Sequence, residues 1–153
     1  MQFLAYLLSS ITAFLGLVAG MALIKLAPEE QKPGKKYFLL VEYAMYSILV
    51  GLVLFFYGIH IIICIGVGIV LFALLTIKKF EMSRAYILYA VFGIVLFLLT
   101  EDQNLFLLAC LCVFIFGMAM ASKELNVKKN NYFILLRNNA VFFIPIILLW
   151  FAI

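Results

Sequence analysis

The sequence predicts an all-α integral membrane protein, a bundle of six transmembrane helices, and three observations carry that expectation. Hydrophobic residues make up 69% of the 153-residue chain and charged residues 12%, where soluble domains run at roughly half and a quarter. The apolar residues fall in long runs, and lipid offers no partner for backbone N–H and C=O groups, so such runs must close their hydrogen bonds internally as helices. Nearly every lysine and arginine flanks one of these runs. Length places residues 1–153 in a single multi-pass domain. The net charge of +4 is therefore topological and excludes nucleic acid as a partner; the lipid bilayer takes that place.

The first expected span covers 3–26, too long for a signal-peptide core and without a basic stretch before it. Ala13, Gly16 and Gly20 make a row of small residues along it, the kind that lets a second helix approach closely. Pro28 ends this span, Glu29 and Glu30 suit a short interfacial turn, and Pro33-Gly34 reads as a strong turn. About forty apolar residues follow from Tyr37. One helix of that length would run about 60 Å, twice the hydrocarbon core, so the chain turns back near Tyr57, Gly58, Ile59 and His60. That divides the run into spans 37–57 and 59–77. A fourth span covers 85–100, Glu101 to Asn104 make the next turn, a fifth covers 105–121, and a sixth covers 132–151 with a kink expected at Pro145.

The loops after spans one, three and five carry Lys25, Lys32, Lys35, Lys36, Lys78, Lys79, Arg84, Lys123, Lys128 and Lys129, while those after spans two and four carry no basic residue. By the positive-inside rule the basic loops, with Glu30, Glu81 and Asn126, are cytoplasmic. His60, Glu101 and both termini are then external. Folded this way, the spans form three helical hairpins with basic cytoplasmic loops. Tyr37, Tyr86 and Tyr132 recur 49 and 46 residues apart, as a threefold repeat or a common interfacial belt would place them.

Apart from Lys25 at the very end of the first span, Glu42 and Arg137 are the charged residues within the spans, each five residues beyond a tyrosine, and so roughly 7 to 8 Å inside the same end. Intramembrane charges are costly and usually face a partner, so the expected pair is Glu42 with Arg137, with snorkelling to the interface as the alternative. Tyr43, Tyr46 and Ser47 lie beside Glu42, and Asn138 and Asn139 follow Arg137, which makes a candidate intramembrane polar cluster. His60 is the lone histidine; the turns also bring Glu101 and Asp102 to its side of the membrane. Cys64, Cys110 and Cys112 lie in apolar runs and read as small hydrophobes, with no metal-ligand spacing. No catalytic motif occurs, and no cofactor or metal is expected.

Two function classes remain, both in a prokaryotic cytoplasmic membrane. A polar cluster lining a wet cavity would make the chain a transporter or binder of a small solute or ion. The same residues sealed between helices would make it a non-catalytic subunit or scaffold, packed against partner membrane proteins or a second copy. A third class, an enzyme on lipid-linked substrates, rests only on lysines that topology already requires.

Overall fold

The computed structural model describes residues 3–78, 85–125 and 131–151, and all its regular elements are helical. They are α1 (Phe3–Leu26), α2 (Gln31–Phe56), α3 (Ile61–Lys78), α4 (Ala85–Leu98), α5 (Gln103–Glu124), and a sixth helix in two pieces, α6 (Tyr132–Asn139) and α7 (Phe143–Phe151). Phe3–Leu26, Pro28–Phe56, Gln103–Glu124 and Tyr132–Phe151 are long and apolar enough to cross a bilayer, which marks a membrane protein. Ile61–Ile77 and Ile87–Glu101 are as apolar in character but shorter.

The helix ends follow local chemistry. Pro28 stops α1 and opens a 3-10 turn, Pro28–Glu30, as its missing N–H and fixed φ allow. Pro33-Gly34 is not a turn: both residues lie inside α2, because the first four N–H groups of a helix lack an intrahelical acceptor and proline there sacrifices nothing. Gly58 takes φ of +81°, a left-handed conformation, and reverses the chain between α2 and α3. The Asp102 carboxylate accepts from the N–H groups of Asn104 and Leu105 at 2.9 and 3.1 Å, an N-cap worth about 1 kcal/mol to α5. Pro145 cannot donate to Val141, and the sixth helix breaks into a 3-10 turn at Ala140–Phe142 as that lost bond implies.

Successive helices alternate in direction. α1 and α5 run parallel, with Gly16 facing the backbone of Phe114 and Gly20 that of Met118. A Cβ on either glycine would collide with those backbone carbonyls, so the small-residue row is a true contact between two main chains. Gly117 answers from α5, facing the backbone of Gly16 and Leu17. α2 lies antiparallel to α5 and α3 antiparallel to α2, while α4 packs on the sixth helix. Aromatic rings fill the interior, where Phe92 meets Phe116 edge-on at 4.8 Å between centroids and Tyr89 touches Phe92, Phe116 and Phe142.

α5 is the hub, and the helices of each expected basic-loop hairpin pack mainly on other helices instead of on each other. Three equivalent hairpins are therefore not the packing unit. Alternation gathers Lys25, Lys32, Lys35, Lys36, Lys78 and Lys123 at one end, with His60, Glu101 and Asp102 at the other. The loops at 79–84 and 126–130, with Lys79, Glu81, Arg84, Asn126, Lys128 and Lys129, lie outside the described residues.

Candidate functional site

At the basic end a polar assembly ties α2 to α5. The amide of Gln31 donates to the carbonyls of Ser122, at 3.0 Å, and Leu125, two acceptors that the end of α5 leaves without helical partners. Ser122 Oγ in turn donates to the Gly20 carbonyl at 3.2 Å, so α1, α2 and α5 meet here. Deeper along α2, Glu42 Oε2 accepts from Lys123 Nζ at 2.7 Å. The Glu42 side chain is 0% exposed and that of Lys123 11%.

Helix geometry explains the pairing. Side chains lean toward the N-terminus of their own helix, so a lysine one residue from the end of α5 reaches back into the bundle, where Glu42 stands. The expected partner, Arg137, is exposed instead, as is Asn138. α4 explains the separation, because it packs against the sixth helix and sets Phe92 against Tyr46 of α2. Of the predicted cluster, Glu42, Tyr43 and Ser47 are buried on α2 and Asn139 on α6, while Tyr46 is half-buried. Ser47 Oγ donates to the Tyr43 carbonyl and Asn139 Nδ2 to that of Leu135, both one helical turn back. Arg137 and Asn138 thus stand apart from the buried group on α2.

Lys123, Tyr89 and Gln31 were missing from the predicted cluster. Lys123 had a signal, since ending the fifth span three residues later would have put it on the helix and within reach of an intramembrane acid. Tyr89 lies within electrostatic reach of Glu42 and Glu124, yet nothing in an apolar run singles out its hydroxyl. The outer turn holds no metal site among the described residues. Asp102 is engaged in its cap, and the His60 imidazole accepts from the N–H of Ile62 at 3.4 Å.

An open concavity lies elsewhere. A cavity of about 610 Å³ runs between α2 and α3 to the start of α5, bounded by Gly51, Phe55, Cys64, Gly68 and Leu105, with Ser47 the one hydroxyl on its wall. Its lining has no charge to orient a polar solute. Its volume is that of a typical small-molecule pocket, but its chemistry suits alkyl chains or another apolar helix. No family model matches the chain, nor does any curated protein or solved structure.

Proposed function

We propose that this chain is a non-catalytic membrane subunit, crossing a prokaryotic cytoplasmic membrane six times with both termini outside and packing against partner membrane proteins or a second copy. The burial of Glu42 carries this reading. A carboxylate that serves a solute must meet water on some part of its cycle, and this one is closed off by Lys123 inside a three-helix junction. Breaking such a pair costs about 3 to 5 kcal/mol, which suits a latch more than a carrier site. α3 supports the same reading, since it rests on α2 and turns Ile62, Ile69 and Ile77 outward beside the apolar cavity.

Photo-crosslinkers at Ile62 and Ile69 in native membranes test it. The expected result is a discrete adduct with a membrane protein or a second copy; adducts with lipid alone would count against a subunit.

Among the described residues Glu42 Oε1 and the Tyr89 hydroxyl have no hydrogen-bond partner, which favours a second reading, ion passage, because polar atoms left over in a dry core are what a migrating proton would engage. Proteoliposomes with an entrapped pH dye separate the two. A subunit gives no proton flux above empty vesicles, with Glu42→Gln altering stability alone. Flux that Glu42→Gln abolishes in folded protein would establish passage.

A further inference from the structure

α2 starts at Gln31, six residues before its apolar run begins at Tyr37, and its first two turns hold Lys32, Lys35 and Lys36. The spacing i, i+3, i+4 puts the three ammonium groups on one face, and all three residues are exposed. Gln31, held by the end of α5, fixes the helix against the bundle. Local physics disfavours this arrangement. Like charges three and four residues apart on a helix repel. Among the described residues none of the three lysines forms an ion pair. Glu30 is the N-cap of α2 and Glu29 precedes it in the adjoining 3-10 turn, Lys25 adds a fourth cation at the end of α1, and Glu124 at the end of α5 lies within electrostatic reach of Lys35. Topology needs only positive charge in the loop; it does not need three lysines set on one helical face.

We propose that the Lys32, Lys35 and Lys36 face of α2 binds the phosphodiester head groups of anionic membrane lipids, with exposed Tyr37 at the boundary between head group and acyl chain. A phosphodiester there neutralises the three ammonium groups and relieves their mutual repulsion. Tyr37 is 59% exposed, and its ring holds Lys36 Nζ at 4.9 Å from the centroid, a contact that aims the ammonium group along the interface. The proposal rests on the membrane-spanning reading and is independent of the subunit function.

The test uses the full chain in neutral detergent, with thermal unfolding followed by Trp150 fluorescence and lipid retention by native mass spectrometry. Added phosphatidylglycerol should raise Tm by about 3 °C or more beyond the effect of phosphatidylcholine, and salt should shrink the difference. Retention of phosphatidylglycerol should fall roughly fivefold for each lysine changed to glutamine. The triple variant Lys32→Gln, Lys35→Gln, Lys36→Gln should lose the lipid response without losing stability in phosphatidylcholine. The corresponding triple arginine variant should keep the response, and single Lys35→Gln gives the graded result if the triple glutamine variant does not fold. An equal phosphatidylglycerol response in native and glutamine variants overturns the proposal. So does inorganic phosphate reproducing the full shift, since that would assign the face to a free anion. Failure of the membrane-spanning reading would look different: alkaline carbonate would release the chain from membranes.

Discussion

α5 and α3 are both strongly apolar helices, yet one is the hub of the bundle and the other its fringe. Of the membrane-length core of α5, 67% is buried, whereas Cys64 is the buried residue on α3. Apolar character does not separate them, because lipid tails solvate leucine as well as a protein interior does. The difference lies in small and polar groups. α5 has Gly117 to admit the backbone of α1 and Ser122 and Lys123 to bond its neighbours. α3 also has glycines, but Gly66 faces open space and Gly68 makes only ordinary contact with the Ser47 carbonyl. Close backbone approach, with the hydrogen bonds it allows, is what makes a membrane helix central.

The most severe test of this contrast is Gly16→Leu, which puts a side chain where the backbone of Phe114 lies. The expected loss is about 4 kcal/mol or more, read as a lower SDS midpoint in micelles, and a midpoint near native would dismiss the α1–α5 contact. A gentler intrusion is Gly117→Ala, whose methyl would meet the Tyr89 hydroxyl and the backbone N of Leu17. It should cost about 1 to 3 kcal/mol, and adding Tyr89→Phe should recover part of that, because the hydroxyl is both the obstacle and without a hydrogen-bond partner. On the fringe, Ile65→Ala should change stability by less than about 0.5 kcal/mol, since this side chain leaves lipid for nothing more costly. A large loss there in native membranes, with none in detergent, would reveal a partner seated on α3.

Much of the helical frame was legible because lipid allows so few solutions. The apolar runs forced helices, Pro28 and Gly58 marked ends that chemistry alone requires, and the Gly16, Gly20 row announced a close contact. Pro33 misled because a proline signals a turn only when its N–H would have been used, and at the start of α2 it would not. The Glu42 partner misled for a different reason. Equal depth made Arg137 look matched, but depth leaves the angle around the bundle undetermined, and that angle depends on α4 standing between α2 and the sixth helix. Lys123 escapes a reading of the sequence because the apolar run ends at Ala121, and three more residues of helix are enough to move a lysine from loop to site.

The most direct test of the latch between α2 and α5 is a double-mutant cycle on Glu42→Gln and Lys123→Met, measured as SDS midpoints in micelles. Lys123→Met leaves Glu42 buried without its charge partner and should cost about 3 kcal/mol or more, Glu42→Gln leaves Lys123 only its 4.0 Å contact with Glu124 and should cost less, and the double variant should lose less than the sum, giving a coupling of roughly 2 kcal/mol. A coupling of zero, or a larger one for Glu42→Gln with Arg137→Met, would contradict the pairing and with it the sealed junction.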